Sequence, residues 1–163
     1  MRTKITNIAL WLSLLPTALS AQQPKSIPID RLGETLSVTP RHIVIKFYTS
    51  WCTYCKMQDH ELSKHPGLVQ LLEADFHYVT MDAETGEDIL FNGKTYRFVS
   101  GGLSGGTHEL AYLLGSQQGI LSYPAWVLLD EKYRVIARHQ GFLTAKQLRQ
   151  FLSDQQRATR HPN

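Results

Sequence analysis

The chain holds two cysteines, Cys52 and Cys55, separated by two residues. At that spacing one thiolate can attack a disulfide sulfur and the other thiol can close onto the first, which is the chemistry of thiol–disulfide exchange. The flanking residues favour it. A β-branched and aromatic run over 43–48 leads to Trp51 and Cys52, and a helix is expected from about Cys52 to Leu62. A thiol at a helix N-terminus meets unpaired backbone N–H groups and the positive end of the dipole, so its thiolate is favoured. A pKa lowered from about 8.5 to about 6.5 raises the thiolate fraction at pH 7 from about 3% to about 75%. Cys55, one turn deeper, is then the resolving thiol. Two other uses of the pair carry less weight. A structural disulfide across two residues closes a very small loop and constrains the unfolded chain little. Zinc ligation by Cys52, Cys55, His60 and His65 leaves only four residues between the pairs, where zinc fingers use about a dozen.

The elements that must position the pair follow in order. Residues 43–48 are apolar on both faces, as in a central strand covered by helices on each side. The helix after it should bury Cys55 and expose Lys56, Asp59 and Glu61. Pro66 suits the first residue of a second helix whose apolar face is Leu68, Val69, Leu71 and Leu72. A strand over 76–81 then returns, and strand, helix, strand favours parallel pairing with a right-handed crossover. Asn92-Gly93 between two strand-like runs predicts a hairpin. The four glycines of 100–106 predict a mobile loop, after which Thr107 can cap a helix to about Leu114. Pro124 stands before a buried strand over 125–129, where proline is tolerated at a first position. A turn at 130–132, an edge strand over 133–138 and a helix capped by Thr144 and ending near Leu152 complete the chain.

The run Trp51-Cys52-Thr53-Tyr54-Cys55-Lys56 after a Phe-containing strand resembles the active site of the thioredoxin superfamily, and of its secreted or periplasmic thioredoxin-like members. The later run Ser122-Tyr-Pro-Ala-Trp-Val-Leu-Leu-Asp, with Gly141-Phe-Leu, is similar to the family's cis-proline strand and closing elements. The likeness covers roughly 41–82 and 119–152. It implies an α/β thioredoxin-like fold over 41–154, a central mixed sheet flanked by helices, with 84–119 as an insertion before the cis-proline strand. It also implies Cys52 as nucleophile, Cys55 as resolving thiol, and a substrate groove formed by Trp51, Tyr54, Tyr123 and Pro124, where backbone groups pair with a bound peptide.

Two departures bear on the chemistry. Thioredoxins commonly carry an acid six residues before the first cysteine, which moves a proton to or from the resolving thiol; here that residue is Lys46. A lysine can snorkel from such a strand to the edge. Alternatively it tunes the thiolate or serves as a base, which makes Lys46, with Lys56, a candidate for pKa tuning. The dipeptide Thr53-Tyr54 replaces Gly-Pro, so the redox potential cannot be carried over. His42 and His108 are expected at the surface or as caps. Gly93-Lys-Thr imitates the end of a phosphate-binding loop, but Asp88 stands where its first glycine is required.

Residues 1–21 have the signature of a signal peptide: Arg2 and Lys4, an apolar run over 8–15, and the small residues Ala18 and Ser20 before a cleavage point after Ser20 or Ala21. The run is short of the roughly 20 residues a membrane-spanning helix needs. Removing it leaves fifteen basic against fourteen acidic residues, so the formal +3 of the whole chain is no sign of nucleic-acid binding. Residues 22–40 read as an N-terminal leader, flexible over 22–28 and ambiguous from 29 to 39, and 155–163 as a polar tail. The expected function is exchange with protein thiols and disulfides outside the cytoplasm, in the periplasm or beyond. It needs no metal or organic cofactor, and a membrane or soluble redox partner resets the pair. The other class open to such a chain is a binding or assembly module in which the Cys52–Cys55 disulfide stays closed.

Overall fold

The computed structural model describes residues 23–102 and 105–160, with side chains through Ser153; the expected signal peptide lies outside the described residues. Strand β1 (Ile43–Tyr48) occupies the centre because its six residues are almost wholly buried. It pairs in parallel with β2 (His77–Asp82) and antiparallel with β7 (Ala125–Leu129), which pairs antiparallel with β8 (Val135–Gln140). The order β2-β1-β7-β8 is a mixed sheet, as expected.

Alternation along β1 sorts its side chains between two cores. Ile43, Ile45 and Phe47 join Val127, Leu129 and Leu110, while Val44 joins Leu62, Leu72, Trp126 and Leu148. The first core lies toward helices α1 (Leu32–Val38) and α4 (Glu109–Gly115), the second toward α2 (Thr53–Ser63), α3 (Pro66–Asp75) and α5 (Ala145–Arg160). Pro66 is the first residue of α3, where the missing N–H costs nothing. Helix α5 continues to Arg160, past the expected end near Leu152. Gln58, fully buried on α2, donates to the Leu143 carbonyl at 2.9 Å and accepts from the Leu143 N–H at 2.8 Å. Helix α2 is thereby tied to the segment that leads into α5.

The segment 84–119, expected as an insertion, holds among its described residues two small hairpins and a helix. Asn92 and Gly93, both at positive φ (48° and 76°), turn β3 (Ile89–Phe91) into β4 (Lys94–Tyr96), as the dipeptide predicts. β5 (Phe98–Ser100) pairs with β6 (Gly106–His108), and a Cβ at Gly106 would stand 2.3 Å from the Phe98 ring. The cap of α4 is His108, one residue beyond the expected Thr107: its Nδ1 accepts from the Leu110 N–H at 3.2 Å. His108, expected at the surface or as a cap, is a fully buried cap, and His42 is half-buried, its Nε2 without a hydrogen-bond partner.

The leader also differs from expectation. Residues 29–39 are a 3₁₀ turn (Ile29–Arg31) followed by α1. Residues 23–28, expected to be flexible, lie along the edge of β2. The Ile27 N–H donates to the Tyr78 carbonyl at 2.8 Å, and the Ser26 Oγ meets the Thr80 N–H at 2.8 Å and the Thr80 Oγ1 at 3.1 Å. This strap covers backbone groups that an open sheet edge would otherwise present.

Candidate functional site

Strand β1 ends at Tyr48, and the turn after it closes when the Cys52 N–H donates to the Thr49 carbonyl at 3.2 Å. Cys52 keeps extended backbone (φ −69°, ψ 104°) as the N-cap of α2, and its Sγ accepts from the Cys55 N–H at 3.0 Å. A sulfur thus takes the place usually held by a capping oxygen. Cys52 and Cys55 form a disulfide with S–S 2.15 Å and Cα–Cα 5.2 Å. Both residues are buried, at 4% and 3% relative exposure. Among the described residues no cluster of His, Cys, Asp and Glu could hold a metal ion.

Phe47 pairs with Ala125, so the residues that follow β1 and those that precede β7 share one end of the sheet. There the Tyr123–Pro124 bond is cis. Trp51, 64% exposed, stands edge-on to Tyr123 with ring centroids 6.3 Å apart, and its indole N–H donates to both Glu84 carboxylate oxygens at 3.0 and 3.1 Å. Burial holds the Tyr123 phenol above its ordinary pKa, Thr107 works against that, and the Glu84 and Asp82 charges add to it. Tyr54 lies exposed in the first turn of α2, and Lys56 is exposed just after Cys55. Of the four residues expected in a groove, the structure joins Trp51 and Tyr123 directly and leaves Tyr54 on the outer face of the helix.

A cleft of about 1020 Å³ opens beside Trp51. Trp51 and Tyr123 form one wall, and Tyr96, Val99, Tyr112 and Leu113 of the insertion form the other. No motif announced it, since it exists only once the insertion folds back over the sheet end. Val99 and Leu113, both exposed there, read in the sequence as ordinary apolar residues of a strand and a helix.

Lys46 neither snorkels to solvent nor remains unpaired. Its side chain is 4% exposed and makes an ion pair with Asp59 of α2, whose side chain is 43% exposed. Asp59 and Glu61, expected to be exposed, are each half-buried. Glu61 accepts from the Ala145 N–H at 2.9 Å and meets His65 Nε2 at 3.4 Å. In helical projection Cys55, Gln58 and Leu62 form the inward stripe of α2, all buried, and Asp59 lies on one flank of it.

A thioredoxin-like domain model matches residues 34–156. No curated protein matches the sequence. Among solved structures, a thioredoxin-fold protein from Helicobacter pylori is similar at 18% identity and TM-score 0.53, the match covering 86% of this chain and 78% of that one. Chloroplastic thioredoxin z is similar at 14% identity and TM-score 0.50, covering 83% of this chain and 96% of that one. At these identities the likeness concerns the fold. The family match spans most of the chain and contains the sheet, the cysteine pair and the cis-proline strand, and the chain belongs to the thioredoxin-like domain family.

Proposed function

We propose that the protein is a thiol–disulfide oxidoreductase that acts on protein substrates outside the cytoplasm. The observation that carries the reading is the hydrogen bond from the Cys55 N–H to the Cys52 sulfur at the N-terminus of α2, within a domain whose family supports thiol–disulfide redox chemistry in general. In the reduced protein the same N–H and the helix dipole stabilise a Cys52 thiolate. That thiolate attacks a substrate disulfide and forms a mixed disulfide. Cys55 then attacks the Cys52 sulfur, the Cys52–Cys55 bond closes, and the substrate leaves as a thiolate. Export rests on the signal-peptide pattern of residues 1–21. In an oxidising compartment the pair needs a redox partner to return it to the dithiol.

The direction we propose is reductase or isomerase rather than strong oxidase. Tyr54 stands before the second cysteine and brings no charge that would further stabilise the Cys52 thiolate, and the Lys46 charge is met by Asp59. A potential of roughly −180 to −270 mV is expected, between protein disulfide isomerase and thioredoxin. Equilibration with glutathione buffers, read by mass shift after alkylation, tests both points. A value near −120 mV, as for strong oxidants, makes the protein a disulfide donor. A pair that stays oxidised throughout makes it a binding module with an inert disulfide.

A further inference from the structure

The cleft beside Trp51 gathers apolar surface that the core does not use. Of the nine large apolar side chains exposed among the described residues, four line it: Trp51, Val99, Tyr112 and Leu113. Helix α4 shows how this arises. Leu110, Ala111 and Leu114 are buried in the core, while Tyr112 and Leu113 stand exposed on the same short helix. An amphipathic surface helix turns polar residues outward, so an outer face that is also apolar lacks a partner. Contiguous exposed apolar surface with a polar rim marks an interaction site. The wall is held in place. The Tyr112 hydroxyl donates to the Gly119 carbonyl at 3.2 Å, and β6 crosses β5 so closely that a Cβ at Gly106 would meet the Val99 carbonyl oxygen at 2.5 Å. Charge on the lining is balanced, with Glu84 and Glu109 against Lys94 and Arg97. Three of the four are already engaged: Glu84 accepts from the Trp51 indole, Glu109 accepts from the Arg97 N–H at 2.9 Å, and the Arg97 side chain pairs with Asp88 at 3.1 Å. The Lys94 ammonium lies over the Tyr96 ring, 5.0 Å from its centroid.

We propose that the wall supplied by segment 84–119 selects the substrate: it seats the extended chain beside a substrate's cysteine and favours cysteines flanked by large apolar side chains. The inference rests on the redox reading of the cysteine pair and names the class of substrate for it. Two observations make the occupant a polypeptide next to a reacting disulfide. Trp51 precedes Cys52 and Tyr123 precedes the cis-proline, so the cleft begins at the redox pair and continues its surface. Cys52 is itself only 4% exposed, so the residues around a substrate sulfur must be seated for that sulfur to reach it. A volume of about 1020 Å³ is about 10 Å on an edge, the reach of about three extended residues. Val99 and Leu113 take the side chains of those residues out of water, which is favourable in proportion to the apolar area covered. With the lining charges balanced, apolar contact rather than charge makes the choice.

The test is reduction of peptide disulfides by the reduced full chain, quenched with acid and read by chromatography. Each substrate is two copies of a short peptide joined through a central cysteine. In one peptide the residues on both sides of the cysteine are leucine and phenylalanine, in the other serine and threonine, with the same polar ends. Cys52 attacks one peptide sulfur and the other peptide leaves; Cys55 then closes onto Cys52 and frees the second. One protein dithiol becomes a disulfide, one peptide disulfide becomes two thiols, and the two protein protons end on the peptides. Rates below saturation are divided by the rate of the same protein with hydroxyethyl disulfide, so that effects on the cysteine pair itself cancel. The wild-type protein should prefer the apolar peptide about tenfold or more, and the preference should change less than about twofold between low and high salt, since screening acts on charges. Leu113→Ser and Val99→Ser should each lower it about threefold or more, and Leu113→Ile should keep it. Equal normalised rates for the two peptides, or a preference untouched by both serine variants, overturns the inference and leaves the redox reading standing. A preference that collapses with salt makes charge the selector and overturns it too. A dimer in sedimentation that Leu113→Ser dissolves assigns the cleft to a second copy of the chain, against the inference. No reduction of any disulfide, hydroxyethyl disulfide included, defeats the redox reading and the inference with it.

Discussion

The backbone N–H of Cys55 points at the sulfur of Cys52 from 3.0 Å, so the second cysteine's peptide group caps the first cysteine's side chain. A charge-assisted bond of this kind strengthens when the sulfur carries a full negative charge. In Cys55→Ser, where Cys52 is a lone thiol, absorbance of the thiolate against pH should give a pKa at least about one unit below the ordinary 8.5. A curve centred at 8.5 would mean that the helix N-terminus does not activate Cys52.

Trp51 stands exposed between Glu84 and Tyr123 at the mouth of the large cleft. Its position suits contact with a substrate chain and contributes little to the core. Trp51→Ala should alter stability by no more than about 0.5 kcal/mol, as for exposed positions generally. Reduction of a folded protein disulfide should slow severalfold, and reduction of a small disulfide by much less. Equal slowing for both substrates would remove Trp51 from the docking surface.

The turn between β7 and β8 gives a prediction on acid stability. Burial pushes the Asp130 carboxyl upward. Bonds from the backbone and side chain of Arg134 and from the Lys132 N–H outweigh it and hold the pKa below 3.8. A folded pKa below the unfolded one stabilises the protein above the unfolded value, and the contribution is lost as pH falls through the folded value. Asp130→Asn should therefore cost roughly 1–2 kcal/mol at pH 7, and the gap from wild type should narrow below about pH 4. Urea denaturation at pH 7 and pH 3 measures both; a gap that stays constant would exclude the charged form of Asp130 as its source.

What the sequence disclosed was what local chemistry decides. The run over 43–48 reads as a buried strand, Pro66 as a helix start and Asn92-Gly93 as a hairpin, because each depends on its own backbone preferences. The relation of Cys52 to α2 was legible for the same reason. What stayed hidden depends on partners distant in the chain. Ser26 holds the strap through Thr80, fifty-four residues away, so its own polar neighbourhood read as flexible. Asp59 stands one turn after Cys55 in the sequence, but only the fold shows that it pairs with Lys46 of the central strand. The cleft wall of Val99, Tyr112 and Leu113 likewise needs the insertion in place.

The central claim is that Cys52 is the attacking sulfur and Cys55 the resolving one. It is tested most directly by isolating each reduced single variant from its native compartment and looking for mixed disulfides on non-reducing gels, with the bands identified by mass. Cys55→Ser should accumulate disulfide-linked protein partners, because attack by Cys52 proceeds and release does not. Cys52→Ser should accumulate almost none, since Cys52 and not Cys55 is the N-cap of α2 whose sulfur accepts a backbone N–H. Equal trapping by the two variants, or trapping by Cys52→Ser alone, would contradict the account.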